Sequence, residues 1–170
     1  FIESYQLVEL TFINTSHTHE DEVVAFTQPL LKEGKSLNHK ALPFSIEILQ
    51  YYENSKPIRR SKPKSELYHG MAKNFLLIEI DNEKEAEANR PGIIFKVENS
   101  HSNADGIYSL ILGQSIPQSF NIENSNFTVK LRRERMYLPF EIELIDFVRI
   151  IHPGTSIPKS FSSEVNLIEN

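Results

Sequence analysis

The chain has 170 residues, of which 39% are hydrophobic and 24% are charged, a composition that is ordinary for a folded protein. Its net charge of −5 argues against general nucleic-acid binding, because phosphate contacts need a basic surface. It contains no cysteine, which excludes disulfide bonds, thiolate metal sites and cysteine nucleophiles. No apolar run approaches the ~20 residues of a membrane-spanning helix. Because the chain starts at Phe1, we expect a mature form or a fragment, with any membrane tether outside it.

Strands dominate the predicted elements, because runs rich in β-branched and aromatic residues recur between turn signals. A continuous apolar run at 75–80 predicts a buried strand, and the proline-rich cationic segment 54–66 predicts a loop. This pattern favours the all-β class, as an antiparallel β-sandwich or an open barrel. The further predicted strands lie at about 5–13, 23–26, 42–52, 93–97, 107–112, 118–122 and 127–131, followed by a strand, turn and strand within 137–168.

The last of these stretches contains a break in its side-chain alternation. Apolar and acidic residues alternate over 140–144, which is the period of a half-buried strand. Phe147 then continues the apolar series with the opposite parity. One extra residue in a strand causes such a slip, so we predict a β-bulge near Ile145 and Asp146. The sequence His-Pro-Gly-Thr at 152–155 predicts the turn that ends the strand.

An earlier part of the chain resembles this stretch. Leu42–Leu49 has the same order of residue types as Leu138–Ile145, and the parity slip recurs after both. An internal duplication would produce two similar β-units, and convergence on a proline-started strand is the alternative. We therefore predict one β-rich domain over 1–170, with 1–66 and 75–170 as candidate pseudo-repeat units.

No catalytic or metal site is predicted. His17 and His19, followed by Glu20, could ligate a metal, but a polar loop more often leaves such histidines solvated. Glu141 and Glu143 could lie at a glycosidase-like spacing, yet solvent-facing glutamates of any alternating strand do so too. No nucleophile-elbow, phosphate-loop or zinc-protease motif occurs. We therefore predict that the chain is not an enzyme.

His152 is the one candidate cofactor contact. Histidine is the usual axial nitrogen donor to haem iron, and an exposed turn histidine is the alternative interpretation. The cationic run 130–135 could bind an anionic group, or it could pair with acidic residues of neighbouring strands.

The residues from Lys130 onward resemble the soluble region of ResB-like proteins, which act in cytochrome c biogenesis of the system II type. The resemblance covers roughly the last forty residues and is faint before them. It is carried by Leu-Pro-Phe at 138–140, Asp-Phe at 146–147, Pro-Gly-Thr at 153–155, and Pro158 followed by Phe-Ser-Ser-Glu-Val at 161–165. The family often has tyrosine where this chain has His152, so no family role passes to that residue.

The resemblance implies a non-catalytic scaffold on the periplasmic or extracytoplasmic side of a membrane. It would dock a partner membrane protein that delivers haem to apocytochrome c, with haem present in the full-length complex and not tightly bound here. The candidate partner surface is Pro153, Gly154, Thr155, Phe161 and Ser162, where the resemblance is concentrated. The alternative function is a β-sandwich binding or adhesion module for a carbohydrate or protein ligand.

Overall fold

A computed structural model describes residues 1–16, 21–62 and 66–169. It is 58% strand and 7% helix with antiparallel sheets, so the predicted all-β class is confirmed. Within the described residues, no helix is both long enough and apolar enough to cross a membrane. Contacts divide the chain into two compact units. The sandwich unit is Glu3–Arg135, and the hairpin unit is Phe1–Ile2 together with the chain from Met136 onward.

The described part of the chain contains twelve strands, one short α-helix and two 3₁₀-helices, Gln28–Leu30 and Ala86–Ala88. The strands and the α-helix are β1 (Ile2–Asn14), β2 (Glu22–Thr27), β3 (Ser36–Leu37), β4 (Ser45–Tyr52), β5 (Ser55–Arg59), α1 (Gly70–Asn74), β6 (Phe75–Glu79), β7 (Gly92–Glu98), β8 (Gly106–Ile111), β9 (Gln118–Ile122), β10 (Ser125–Met136), β11 (Phe140–Ile151) and β12 (Pro158–Glu169).

Two four-stranded sheets make the core of the sandwich unit. Their strand orders are β2-β1-β10-β9 and β3-β4-β7-β8. Phe12 on β1 meets Phe95 on β7 edge to face, with ring centroids 6.0 Å apart. Phe44, just before β4, makes the same kind of contact with Phe127 on β10 at 5.3 Å. Aromatic pairs in this geometry add to the stability that burial alone gives, so these rings help hold the two sheets together.

The side-chain alternation of the core strands explains which face each sheet buries. On β4, Ile46 and Ile48 are fully buried while Glu47 between them is only partly so. On β7, Phe95 and Val97 are fully buried and Lys96 is half-buried. Successive side chains of a strand point to opposite faces, so a period of two places one apolar set inside the sandwich.

One prediction about the middle of the chain is wrong, and another is confirmed only in part. The predicted loop 54–66 contains strand β5, which pairs antiparallel with β6. The strand predicted at 75–80 is present as β6, but Phe75 and Leu76 are exposed and Leu77 alone of its residues is buried. The reason is its environment, because β5 and β6 form a separate two-stranded sheet.

The hairpin unit consists of β11 and β12 paired antiparallel, with a turn between them. Its register shifts between Leu144 and Asp146, which confirms the predicted bulge near Ile145 and Asp146. Phe140 is half-buried and every later residue of the two strands is exposed. This two-stranded sheet is therefore rich in apolar residues, and nearly all of them are exposed to solvent.

The two resembling strands share their bulge. The register of β4 against β7 shifts between Ile48 and Gln50, at the same place in the pattern as the shift in β11. The contacts divide the chain at residues 135 and 136 instead of between residues 66 and 75. The duplication, with pseudo-repeat units 1–66 and 75–170, stays a prediction, as does the single domain over 1–170.

Candidate functional site

Two features of the described chain could hold a partner or a ligand. The first is one face of the hairpin unit, which we call the hairpin face. Residues directly opposite each other in an antiparallel pair share a face. The register therefore places seven large apolar residues on the hairpin face: Phe140, Ile142, Leu144, Phe147, Phe161, Val165 and Leu167. The same pairs also place Glu169, Ser163 and Arg149 on this face, opposite Phe140, Phe147 and Phe161.

The bulge keeps the hairpin face continuous. In a regular strand with no bulge, Phe147 would lie on the opposite face from Leu144, because the two residues are three positions apart. The shift at Ile145 instead sets Phe147 opposite Ser163, on the same face as Leu144 and its partner Val165. The Phe147 and Phe161 rings stack there with centroids 5.9 Å apart, although Phe161 remains 60% exposed. The parity slip in the sequence is thus the means by which a long apolar stripe stays on one side.

The opposite face of the hairpin is more polar. Its paired residues include Asp146 with Glu164, and Glu143 with Asn166, whose amide donates to the glutamate at 3.4 Å. Val148 and Ile150 are apolar positions on this face, and each pairs with a serine. The hairpin is therefore amphipathic, with its aromatic residues on the hairpin face.

The turn of the hairpin carries most of the sequence-predicted partner surface. Gly154 has a φ of +75°, a backbone conformation that glycine adopts without strain. The Thr155 amide and hydroxyl donate to the His152 carbonyl at 3.1 and 3.0 Å, which closes the turn. Pro153, Gly154 and Thr155 are exposed there, while Phe161 lies on the hairpin face and Ser162 on the opposite face. The five candidates therefore do not form one surface.

His152 is exposed and stands at the end of β11. Its backbone amide donates to the Ile157 carbonyl at 3.0 Å, so its main chain belongs to the turn. The described residues contain no group of three histidine, aspartate or glutamate side chains that could hold a metal ion. The predicted haem contact at His152 stays a prediction.

The second feature is a cavity in the sandwich unit with a volume of about 860 Å³. This is within the range of 300–1,000 Å³ typical of small-molecule sites. Its walls come from three segments that are distant in sequence: 69–75 around α1, 103–108 at the start of β8, and 114–121 leading into β9. Apolar side chains form about half of the wall: Met71, Phe75, Ala104, Tyr108, Ile116, Pro117 and Phe120.

A stack of three rings supports one wall of the cavity. His69 stacks on Tyr108 with centroids 5.0 Å apart, and Tyr108 stacks on the core residue Phe95 at 5.6 Å. The Tyr108 hydroxyl donates to the Ala104 carbonyl at 2.8 Å, which satisfies its polar end. Burial, and to a smaller extent the nearby Asp105, raises the pKa of Tyr108 above its ordinary value, so this ring stays uncharged. The wall is thus fixed to the hydrophobic core.

The tautomer of His69 follows from its partner. Its Nε2 lies 3.1 Å from the Asp105 carbonyl oxygen, which can only accept a hydrogen bond. Nε2 must therefore carry the proton, and Nδ1 of the neutral ring is an acceptor.

Glycine permits the close approach of the ring to the chain. Gly106 has a φ of +153°, and a Cβ there would lie 2.4 Å from the His69 ring. At Gly70, with a φ of +51°, a Cβ would lie 2.2 Å from Oε1 of Gln118. Both positions need glycine for two reasons, the backbone conformation and the missing side chain.

The charge of the cavity wall is low. Gln118 is buried and donates to the Ser109 carbonyl at 2.6 Å, and its Oε1 has no hydrogen-bond partner within the described part of the chain. Among the described residues that line the cavity there is no lysine, arginine, aspartate or glutamate. The cavity therefore suits an uncharged molecule.

The cationic run 130–135 does not form an anion site around its arginines. Arg132 donates to the buried Glu9 at 2.8 Å, and Arg135 donates to Glu3 at 3.0 Å. Arg133 donates to the Gln6 and Glu87 carbonyls at 3.1 and 2.9 Å. Pairing with acidic strand residues, the alternative interpretation of this run, is what the structure shows. The histidine and glutamate residues at 17, 19 and 20 lie outside the described residues.

The cavity was not predicted from the sequence. His69 is an isolated histidine in the chain, and Tyr108 and Gln118 lie in unremarkable strand patterns. A signal was present in the two glycines next to polar segments, Gly70 and Gly106, because glycine often marks a close approach of backbone to side chain. Which segments approach each other depends on the pairing of β7 with β8 and of β9 with β10, and no local pattern specifies that.

No family model matches this chain, and no curated protein or solved structure matches it either. A functional proposal therefore depends on the residues of the chain itself and on the motifs over its last forty residues.

Proposed function

We propose that the chain is a non-catalytic extracytoplasmic part of a ResB-like cytochrome c biogenesis protein, and that the hairpin face docks its partner membrane protein in haem delivery. The observation that carries the docking role is the exposure of the hairpin face. Ile142 and Leu144 are each 60% exposed, while Ile46 and Ile48, at the same places in the β4 pattern, are fully buried.

The size of the hairpin face supports a docking role. Strands of 12 residues, at about 3.3 Å per residue and about 5 Å between strands, make a face of roughly 40 Å by 10 Å. Arg149, Ser163 and Glu169 share this face, so its apolar part is smaller than about 400 Å². The largest apolar patches on monomeric proteins measure about 300–600 Å² and are often functional. A two-stranded sheet is also marginally stable alone in water, so a covering partner would stabilise it.

The kind of surface that the partner presents to the hairpin face can be inferred from the sandwich unit. There, the same strand pattern packs against the apolar face of another sheet, through rings such as Phe12 and Phe127. We therefore expect the partner membrane protein to present an apolar β-sheet face, and a charged surface would be excluded by desolvation. Docking of this kind would position haem and apocytochrome c, and positioning replaces an encounter between free molecules.

The test is made in the cells that produce the protein, with the full-length gene. Replacing Ile142 and Leu167, which are paired on the hairpin face, by serine should lower the haem attached to c-type cytochromes about tenfold. Covalent haem is measured by peroxidase staining of denaturing gels, with immunoblots to check the level of the protein. The matched control replaces Val148 and Ile150, on the opposite face of β11, by serine and should retain most of the haem.

Two outcomes would count against the proposal at different levels. If deletion of the whole gene leaves cytochrome haem unchanged, the assignment to cytochrome c biogenesis is wrong. If deletion abolishes the haem but the hairpin-face pair behaves like its control, the assignment stands and the docking surface is wrong.

A binding module is the second candidate function, and the cavity of the sandwich unit is the observation that favours it. Binding to a carbohydrate or protein surface would use the exposed apolar rim of that cavity, including Ile116, which is 77% exposed.

A further inference from the structure

We infer that the cavity of the sandwich unit is a binding site for an uncharged, largely apolar small molecule. This inference does not depend on the docking role of the hairpin face, because every residue that forms the cavity belongs to the sandwich unit.

The wall of the cavity is already ordered before a ligand binds. His69, Tyr108 and Phe95 form a continuous stack from the cavity wall into the hydrophobic core. The hydrogen bonds from His69 to the Asp105 carbonyl and from Tyr108 to the Ala104 carbonyl fix the outer two rings of that stack. A wall that is already ordered loses little conformational entropy when a ligand binds, and this favours affinity.

The cavity wall suits an uncharged ligand better than a charged one. Nearly a quarter of the chain is charged, yet no lysine, arginine, aspartate or glutamate lies among the described cavity-lining residues. An ionised group placed inside would lose its hydration without gaining a charged partner, and that loss is costly. A neutral molecule has no such cost, and it gains from contact with side chains such as Phe75, Phe120 and Met71.

The polar side chains of the wall are uncharged. Gln118 is buried and its amide nitrogen donates to the Ser109 carbonyl, and the missing side chain of Gly70 leaves the room that Gln118 occupies. Further neutral polar side chains line the cavity, among them Asn103, Ser115 and Asn121. The expected ligand is therefore largely hydrocarbon or aromatic, with uncharged polar groups that such side chains can pair with.

The chain contains a built-in probe for this site. It has two methionines, of which Met71 lines the cavity and Met136 belongs to the hairpin unit, where it is exposed. Protein labelled with ¹³C at the methionine methyl groups therefore gives one signal from the cavity and one internal control. The probe ligand is Nile red, an uncharged polycyclic dye whose fluorescence rises in apolar surroundings.

The expected result is a saturable shift of the Met71 methyl signal with Nile red, together with a saturable rise in fluorescence. The Met136 signal should stay in place, which excludes a general response of the methionine methyl groups to the dye. The variant Ile116→Asp, which places a carboxylate at the exposed rim, should weaken binding at least about tenfold. Ile58→Asp, at an exposed isoleucine of β5 away from the cavity, should leave the affinity unchanged.

Three outcomes would overturn the inference. They are an unchanged Met71 signal at saturating dye, equal shifts of both methionine signals, and equal affinities of Ile116→Asp and Ile58→Asp. Amide spectra of each variant establish that it is folded. If Ile116→Asp does not fold, Ile116→Ser takes its place, with Ile58→Ser as its control and a smaller loss of about threefold expected.

Discussion

Strands β4 and β11 carry the same side-chain pattern and the same bulge, but one is buried and the other is exposed. In β4, Ile46 and Ile48 pack in the core of a sandwich, and in β11, Ile142 and Leu144 face solvent. An alternating pattern with a parity slip therefore specifies a strand, its two faces and its bulge. Whether a face is covered depends on a second layer, and the pattern of the strand itself does not contain that layer.

The largest expected effect comes from inserting one alanine at the same place in each strand, after Ile46 in β4 and after Ile142 in β11. In β4 the insertion would turn Glu47 toward the core and Ile48 away from it, because a shift of one residue changes the face of the side chains that follow. We expect the sandwich unit to lose more than about 4 kcal/mol of stability, and to be unfolded under ordinary conditions. The same insertion in β11 should leave the sandwich unit folded, as measured by amide spectra and urea unfolding.

Equal losses from the two insertions would contradict this prediction. They would mean that the stability of the sandwich unit depends on the register of the hairpin unit.

A smaller effect is expected from truncating one isoleucine in each strand. Ile46 is fully buried and Ile142 is 60% exposed, at the same place in the shared pattern. Ile46→Ala should destabilise the protein by about 3 kcal/mol, since it removes buried methyl groups and leaves a cavity. Ile142→Ala should change stability by less than about 0.5 kcal/mol, since no buried contact is lost. Urea midpoints with unchanged slopes measure both values.

A cost of several kcal/mol for Ile142→Ala would show that the hairpin face is buried in solution. A dependence of that cost on protein concentration would identify a second copy of the chain as the cover.

The smallest effect is expected where the two patterns differ, at Tyr51 of β4 and Phe147 of β11. The Tyr51 hydroxyl is buried and has no hydrogen-bond partner among the described residues. Burial, and to a smaller extent Glu53, raises the pKa of Tyr51 from 10.0 to about 12, with Arg133 acting in the opposite direction. Tyr51→Phe should therefore change stability at pH 7 by less than about 1 kcal/mol, because no hydrogen bond is lost.

The variant should differ from the parent protein more clearly in alkali. A tyrosine whose folded pKa lies above its unfolded pKa is ionised first in the unfolded chain, so its contribution favours unfolding as the pH rises from 10 toward 12. Tyr51→Phe lacks that contribution and should lose less stability over the same range. Urea midpoints of the two proteins at several pH values measure the difference, and parallel curves would show that Tyr51 is solvated.

Much of the fold was predictable because its strands obey short-range rules. The bulge at Ile145 followed from a parity slip alone, and β9 was found at its correct residues, Gln118–Ile122. Strand β5 was not found, because Pro57 and its cationic neighbours are typical of loops. Its backbone pairs with β6 at the margin of the fold, where proline and charged side chains are tolerated.

The site was less predictable than the fold. The motifs near His152 indicated where to look on the hairpin unit, and Phe161 does lie on the apolar face. The cavity, by contrast, joins segments around Gly70, Gly106 and Gln118 that only the tertiary structure brings together. Local patterns cannot predict such a site, because its walls come from three segments that are distant in sequence.

Gly106 has a consequence for how the sequence of this protein can vary. Any side chain at this position would displace the imidazole ring beside it and strain the backbone as well. Gly113 also has a positive φ but has open space around its missing side chain, so there only the backbone limits replacement. Among natural variants of the chain, replacement should therefore be tolerated less at Gly106 than at Gly113. Neutral substitutions should accumulate at Gly113 before they appear at Gly106 beside the cavity wall.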